Sequence, residues 1–179
     1  MKRAPLKPTV AENALVLGIG NILMKDDGLG VAVALSFKDA YRLPENIACL
    51  DGGVQGVNLL SAIEGFTHLI VIDAVLSGSA PGRVKQYEWD DLKDLPWLKR
   101  SAHGIGLKEL LSLAGLDGKP RHIVVFGVTP KDVSTGMELT PIVKNSIPRL
   151  LLRIRRCLEE MGFTIKRTPQ CTKAISQKR

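Results

Sequence analysis

Short runs of apolar residues alternate along the chain with longer segments in which apolar positions recur at helical spacing. The short runs predict buried strands at residues 14–19, 47–50, 68–72 and 122–127, with an edge strand at 83–87. The periodic segments predict helices at residues 28–40, 57–63, 105–114 and 139–161. Pro148 falls inside the last of these helices and predicts a kink there. Strands that alternate with helices predict an α/β fold, a single three-layer domain with a mostly parallel twisted sheet and helices on both faces.

Composition and the two termini set the bounds of this domain. The chain has 179 residues, of which 45% are hydrophobic but only 4% aromatic, so the core is expected to be aliphatic, as in a buried parallel sheet. Residues 1–12 are polar and contain two prolines, which indicates a flexible lead-in. The domain itself is predicted at residues 13–162, followed by a basic tail at 163–179.

The net charge of +7 is concentrated at one end of the chain. Residues 149–179 contain nine Lys or Arg against two Glu, whereas residues 1–148 contain sixteen basic and sixteen acidic residues. Because no set of aromatic residues for stacking on bases accompanies the basic end, we expect a solvated terminus and no nucleic-acid partner.

The cysteines and the hydropathy of the chain bear on its cellular compartment. Cys49, Cys157 and Cys171 are far apart and form no C-x-x-C pair. No apolar signal core follows the basic start, and no stretch of 18 apolar residues occurs. These features predict a cytoplasmic protein with reduced thiols and no membrane span.

Polar residues that follow the predicted strands are the first candidates for a site, because ligands bind at the carboxyl ends of parallel strands. They are Asn21, Asp26, Asp27, Asp51, Asp73, Thr129 and Pro130, with His103 in a later loop. Each also has a purely structural explanation. Asp26 or Asp27 could cap a helix, and Asp51 could stabilise the turn made by Gly52 and Gly53. Their convergence on one edge of one sheet favours a function.

The first loop fails a test for dinucleotide binding. Gly18 and Gly20 match the start of the G-x-G-x-x-G fingerprint, but Leu23 occupies the place of its third glycine. Asp26 and Asp27 would also repel a pyrophosphate bound at this position. Neighbouring carboxylates are suited instead to binding a cation or transferring protons.

The histidines add one more candidate ligand. His68 and His122 begin strands and are expected to be structural, which leaves His103 as the one imidazole in a loop. Two separated carboxylates and one imidazole would form an open, three-ligand site that suits zinc, nickel, cobalt or manganese. The chain has neither a G-x-S-x-G nor an H-E-x-x-H motif, which argues against those hydrolase classes.

Residues 17–30 read LGIGNILMKDDGLG and fit the pattern G-x-G-N-x-L-x-x-D-[DE]-G-x-G. This pattern opens the sequences of the nickel–iron hydrogenase maturation endopeptidases, a family that the chain resembles over residues 14–155. The later elements follow in the family's order: DGGVQG at 51–56, IVIDA at 70–74, SAH at 101–103, GVTP at 127–130 and GMELTP at 136–141. Two positions depart from the common pattern, since Asp27 stands where many members have Glu and Val54 replaces a common Thr.

The resemblance implies a function and a set of site residues. The expected reaction is removal of the C-terminal extension from a hydrogenase large-subunit precursor after nickel insertion. Asp27 and Asp73 would be catalytic, by an aspartic-type or a metal-dependent route, and together with His103 they would contact the metal. That metal is expected to be nickel supplied by the substrate, although other divalent metals could occupy the site. Substrate-positioning roles are expected for Asn21, Asp26, Asp51, Gly52 and Gly53.

Two alternatives remain open at this point. A non-catalytic nickel-binding assembly factor for hydrogenase would use the same three metal-contacting residues. A Rossmann-type nucleotide-binding protein is disfavoured by Leu23 and by the neighbouring Asp26 and Asp27.

Overall fold

The computed structural model describes residues 12–88 and 120–168. In chain order its strands are β1 (Ala14–Ile19), β2 (Tyr41–Arg42), β3 (Ile47–Gly53), β4 (His68–Ala74), β5 (Val84–Glu88), β6 (His122–Val128) and β7 (Lys166–Arg167). Its helices are α1 (Leu29–Ala40), α2 (Leu59–Ile63), α3 (Pro141–Lys144) and α4 (Ile147–Glu160), with 3-10 turns at Lys25–Gly28 and Gly56–Asn58. His103 and the helix predicted at 105–114 lie outside the described residues, as do the lead-in before residue 12 and the tail beyond residue 168.

Five strands form one sheet in the order β3-β1-β4-β6-β5. β1 pairs in parallel with β3 and β4, and β4 pairs in parallel with β6, whereas β5 runs antiparallel to β6 at the edge. The predicted mostly parallel sheet and its edge strand are therefore confirmed. β3 and β4 continue to Gly53 and Ala74, so Asp51 and Asp73 lie within strands and not just after them.

Helices cover both faces of this sheet. Side chains alternate across β1, so that Ala14 and Val16 pack in one cluster with α1 and α4, while Leu15 and Leu17 pack in another with α2. The largest fully buried side chains are aliphatic apart from Phe37 and Phe126. This composition matches the aliphatic core expected from the low aromatic content. None of the helices in the described residues is long and apolar enough to cross a membrane.

The prediction of one long helix at residues 139–161 is wrong, because the structure has two helices there. α3 ends at Lys144, and α4 begins at Ile147. Pro148 lies in the first turn of α4 and does not kink a continuous helix. Proline is readily accepted at that position because the first N–H groups of a helix have no partner within the helix.

Packing continues past residue 162, where the sequence predicts that a tail begins. Phe163 and Ile165 are buried in the cluster that contains α1 and α4. β7 then pairs antiparallel with β2, which follows directly after α1. The described part of the predicted tail therefore closes the hydrophobic core beneath α1.

The start of α1 crosses the carboxyl ends of β1 and β4 at very short range. A Cβ atom on Gly30 would lie 2.2 Å from the carbonyl oxygen of Ile19 and 2.3 Å from that of Ile72. Only glycine permits this approach. The contact places the 3-10 turn at Lys25–Gly28, which precedes α1, over the ends of the two central strands.

We expect Gly30→Ala to lower the free energy of unfolding by about 3 kcal/mol, because the added methyl group must push α1 away from two strand carbonyls. Ser36→Ala is the control in the same helix, since its hydroxyl donates locally to the carbonyl of Ala32, and a change within about 0.5 kcal/mol is expected. Urea denaturation measures both variants. Equal stability of the two would contradict the close-approach argument.

Candidate active site

The loop between β1 and α1 presents Asp27 at the carboxyl edge of the sheet. Gly20 has a φ of +132°, and a Cβ there would lie 1.8 Å from the carbonyl oxygen of Asp27, so the position requires glycine. The backbone N–H of Asn21 donates to Oδ2 of Asp27 over 2.8 Å. The Asn21 side chain accepts a hydrogen bond from the N–H of Leu23 over 2.9 Å, which fixes the loop. In the structure, Asn21 thus orients the Asp27 carboxylate.

Asp73 is the second carboxylate of the site and lies one residue before the end of β4. Burial and, to a smaller extent, the negative charge of Asp27 raise the pKa of Asp73 from 3.8 to about 7. A hydrogen bond with the backbone of Ala74 acts in the opposite direction and is the weakest of the three effects. The predicted pair of Asp27 and Asp73 is therefore brought together at one edge of the sheet.

A carboxylate pair of this kind can release or accept a proton near neutral pH, as general acid–base catalysis requires. The same oxygens could bind a divalent cation, which would compete with the proton. Within residues 12–88 and 120–168, no group of three or more His, Cys, Asp and Glu is arranged to hold a metal ion. The third predicted ligand, His103, lies outside those ranges. The described residues supply two of the three predicted ligands, and the metal itself stays a prediction.

Asp26 is directed away from the surface, in contrast to its neighbour Asp27. Its side chain is fully buried and accepts four hydrogen bonds. Oδ1 accepts from the N–H of Thr140 over 2.7 Å, and Oδ2 accepts from the Thr140 hydroxyl over 2.9 Å. The N–H groups of Lys131 and Asp132 donate to Oδ2 over 2.9 and 3.0 Å. Asp26 therefore organises the protein interior, and its predicted role in positioning substrate stays a prediction.

We call residues 131–140 the clamp loop. Backbone contacts join this segment to residues 23–26, in addition to the hydrogen bonds of Asp26. The N–H of Lys25 donates to the carbonyl of Gly136 over 2.7 Å, and the N–H of Gly136 donates to the carbonyl of Leu23 over 2.9 Å. Lys25 has a φ of +41°, unusual for a residue with a side chain, and its ammonium pairs with Asp132. These contacts hold the loop that carries Asp27 in one conformation.

Asp51, Gly52 and Gly53 are placed beside the first loop. Oδ1 of Asp51 accepts a hydrogen bond from the N–H of Gly53 over 2.9 Å, so the turn-stabilising explanation is confirmed. The carbonyl of Gly53 accepts from the N–H of Gly20 over 2.9 Å, which joins this turn to the loop of Asp27. Asp51 is exposed. Its predicted role in positioning substrate stays a prediction.

The remaining candidates support the fold near the site or lie far from it. Thr129 is buried, and its hydroxyl bonds that of Ser77 over 2.8 Å. His68 is buried at the first residue of β4, stacks on His122 with ring centroids 4.8 Å apart and bonds the Thr67 hydroxyl. Both histidines therefore lie at the amino edge of the sheet, opposite the carboxylate pair.

The sequence did not predict that the clamp loop holds the loop of Asp27 in place. Lys131, Asp132 and Thr140 contribute through their backbone N–H groups, which every residue type except proline provides. Side-chain identity carries little information about such contacts. The one signal available was the GMELTP element, which the sequence analysis matched to a family pattern without assigning it a physical role.

We expect Asp26→Asn to open the clamp. The amide has one acceptor oxygen and would oppose an N–H₂ group to the donors of the clamp loop, which costs about 2–3 kcal/mol. Hydrogen exchange at the N–H groups of Lys131, Asp132 and Thr140 should accelerate by more than tenfold. Asp51→Asn is the matched control, because Asp51 is exposed and is seen to accept a single local bond. Unchanged exchange at all three amides in Asp26→Asn would disprove the clamp.

The raised pKa of Asp73 predicts a pH-dependent effect of Asp73→Asn on stability. Because the folded pKa of about 7 exceeds 3.8, the folded protein favours the protonated acid and loses stability as pH rises from 4 to 7. In chelator-treated protein at pH 8, Asp73→Asn should stabilise by about 2 kcal/mol, after allowance for solvent screening of a half-buried group. The difference should vanish towards pH 4. Thermal melts across this range measure it, with exposed Asp39→Asn as control, and a destabilised Asp73→Asn at pH 8 would contradict it.

Comparisons with known proteins identify the family to which this chain belongs. A family model described as HycI, hydrogenase maturation protease, matches residues 31–156. The chain is 40% identical over 156 residues to the hydrogenase expression/formation protein HupD of Bradyrhizobium diazoefficiens, covering 86% of this chain and 81% of that protein. It is 35% identical over 150 residues to the hydrogenase 2 maturation protease of Escherichia coli, covering 83% of this chain and 92% of the relative.

A solved structure extends the likeness to the fold. The hydrogenase maturating endopeptidase HybD from E. coli superposes with a TM-score of 0.80 and 30% identity, covering 88% of this chain and 99% of that one. The family match includes Asp51 and Asp73, and the opening motif with Asp27 precedes it. The shared sheet, the matched length and the sequence identities lead to one conclusion: this chain belongs to the hydrogenase maturation protease family and is a peptidase.

Proposed function

We propose that this peptidase removes the C-terminal extension of a nickel–iron hydrogenase large-subunit precursor after nickel insertion. Asp27 and Asp73 act on the peptide bond, and His103 joins them in contacting the nickel of the substrate. The observation that carries this proposal is the pairing of the two carboxylates at the carboxyl edge of the sheet, where burial and, secondarily, the charge of Asp27 raise the pKa of Asp73 to about 7. Groups with so large a pKa shift are concentrated at functional sites.

The carboxylate pair can perform hydrolysis as two proton transfers. An ionised carboxylate accepts a proton from water as the water oxygen bonds to the scissile carbonyl carbon. When the C–N bond breaks, the protonated partner donates its proton to the leaving amine nitrogen. A pKa near 7 lets Asp73 carry that proton at physiological pH. Nickel held by the substrate would supply Lewis-acid activation, with Asp27, Asp73 and His103 as the residues that would contact it.

An incomplete site suits an enzyme that inspects its substrate for nickel. Two carboxylates and one imidazole would leave coordination positions open on a divalent ion. Ligands that the precursor already provides would complete the coordination. Nickel-loaded precursor would then bind more tightly than nickel-free precursor, because only the loaded form offers a metal to the two carboxylates.

Exposed apolar side chains near the site favour a protein substrate. Ile22 and Leu23 in the loop before Asp27 are 49% and 54% exposed, and Met137 of the clamp loop is 72% exposed. The bond between the N–H of Gly136 and the carbonyl of Leu23 keeps these two loops side by side. An apolar rim of this kind is typical of a surface that contacts another protein.

The proposed compartment is the cytoplasm. Cys49 and Cys157 are free and buried, and burial is the main cause that raises the pKa of each thiol to about 12. Both thiols are therefore unreactive and consistent with a reducing environment.

The test is processing of purified precursor by the purified chain, followed by mass spectrometry. Nickel-loaded precursor should lose one C-terminal fragment, and nickel-free precursor should remain intact. Asp27→Asn and Asp73→Asn should each slow cleavage by at least about 100-fold, because each removes a proton-transfer group. His103→Ala should weaken the preference for nickel-loaded precursor.

Asp39→Asn is the control for this assay, since Asp39 is an exposed carboxylate on α1. Wild-type rates in both site variants would remove the catalytic assignment. Equal cleavage of loaded and nickel-free precursor would exclude nickel inspection. Tight binding of loaded precursor without any change in its mass would favour the alternative, a non-catalytic assembly factor.

A further inference from the structure

A second polar pocket opens beside β5, away from the two carboxylates. Its volume is about 520 Å³, and it is lined by residues 80–84 together with Arg149 and Arg153 of α4. Arg83, Arg149 and Arg153 line it, and none of the described residues that line it is acidic. The pocket is therefore strongly positive, and the proton-transfer chemistry of Asp27 and Asp73 makes no use of it.

Arg153 forms a fixed wall of this pocket. Its Nη1 donates to the carbonyl of Val84 over 3.2 Å, and its Nη2 makes a longer bond of 3.5 Å to Oε1 of Gln86. The guanidinium also lies 5.5 Å above the ring of Phe126. Burial and, secondarily, the positive charge of Arg149 lower the pKa of Arg153, so the charges of the two arginines act on each other.

Arg83 and Arg149 are exposed side chains, and within residues 12–88 and 120–168 no other side chain neutralises their charges. In the described part of the chain neither side chain has an ion pair or a hydrogen bond, whereas Arg155 on the same helix pairs with Glu159. Arg149 also lies in the first turn of α4, at the positive end of the helix dipole, and that turn contains no acidic residue. A cation at this position is unfavourable. A bound anion would relieve both effects.

The pocket opens at the same edge of the sheet as the active site. Lys85 of β5 lies opposite Gly127 of β6, and Gly127 lies opposite Asp73 of β4. Val84, which lines the pocket, is one residue closer to the carboxyl edge of β6, opposite Val128. With about 4.8 Å between neighbouring strands, β5 is roughly 10 Å from β4. A few residues of extended peptide span that distance.

We propose that the pocket of Arg83, Arg149 and Arg153 binds a carboxylate of the peptide segment that this protease removes. The inference rests on the proposed function, because a C-terminal extension necessarily ends in a carboxylate. Guanidinium groups bind carboxylates through paired hydrogen bonds. The acid pair of Asp27 and Asp73 repels the same group. Attraction at β5 and repulsion at β4 would together set the direction in which the extension crosses the site.

The bound carboxylate could be the C-terminal carboxylate of the extension or that of an Asp or Glu side chain within it. A nucleic acid is the less favoured occupant, because no aromatic side chain lines the pocket to stack on a base. The experiment separates these three possibilities by direct binding, so that its result does not depend on cleavage.

The kinetic arm compares two double variants of equal charge. Arg83→Gln/Arg149→Gln removes the two uncompensated cations, and Lys38→Gln/Arg156→Gln removes two exposed cations outside the pocket. With nickel-loaded precursor, the pocket variant should raise KM by about tenfold or more and leave kcat within about twofold, because the lost contacts bind the substrate and do not act in the chemical step. The surface variant should match the wild type. Equal changes in both variants would overturn the inference.

The binding arm uses a fluorescent synthetic peptide with the sequence of the extension, in three forms: a free C terminus, an amidated C terminus, and acidic side chains replaced by amides. Either the amidated peptide or the peptide with amide side chains should bind the wild type about tenfold more weakly than the unmodified peptide. The pocket variant should bind that neutralised peptide and the unmodified one with equal affinity. The peptide that loses affinity for the wild type identifies the carboxylate. No saturable binding to the wild type up to millimolar protein, or equal binding of all three peptides, would overturn the inference, as would displacement of the peptide by an oligonucleotide at equal affinity. Failure of the wild type to cleave the precursor would overturn the proposed function alone. The peptide titrations would still decide what the pocket binds.

Discussion

The buried carboxylate of Asp26 joins the two loops on which the active site is built. A charge removed from water without partners would destabilise the fold by several kcal/mol. Here four donors from the clamp loop compensate it, three of them backbone N–H groups. Because Asp27 follows directly in sequence, fixing the first carboxylate also fixes the backbone from which the second one projects. The position of the Asp27 carboxylate thus depends on the buried side chain of its neighbour Asp26.

Asp26 and Asp27 are neighbours with opposite environments. Hydrogen-bond donors surround the first, whereas the second stands beside another carboxylate, Asp73, and raises its pKa. The repulsion within the pair is a local cost that the clamp helps to offset. Such arrangements are expected at sites that bind a cation or share a proton, since the same repulsion that opposes folding favours both events. The close contact of Gly30 with the ends of β1 and β4 supplies the rest of the constraint.

Much of the fold could be read from the sequence, because a buried parallel sheet requires continuous apolar runs and these mark the strands directly. The motif around Gly20 and Asp27 could also be read from the sequence, because its residues are contiguous along the chain. The break between α3 and α4 could not, since the helical spacing of apolar residues continues across it. The clamp could not either, because it joins residues more than a hundred positions apart through backbone groups. Sequence shows two aspartates side by side and does not show which one is buried.

The carboxyl edge of the sheet carries an acidic pair at β4 and a basic pocket at β5. The net charge of the chain does not show this separation of opposite charges. The proposed chemistry depends most on the acidic pair. Titration of the Asp73 side-chain carboxyl carbon by NMR in metal-free protein, with and without Asp27→Asn, tests the pairing directly. We expect a pKa of about 7 in the wild type and a lower value in the variant, still above 3.8 because burial persists. An ordinary pKa in the wild type, or no change on replacing Asp27, would contradict the pairing.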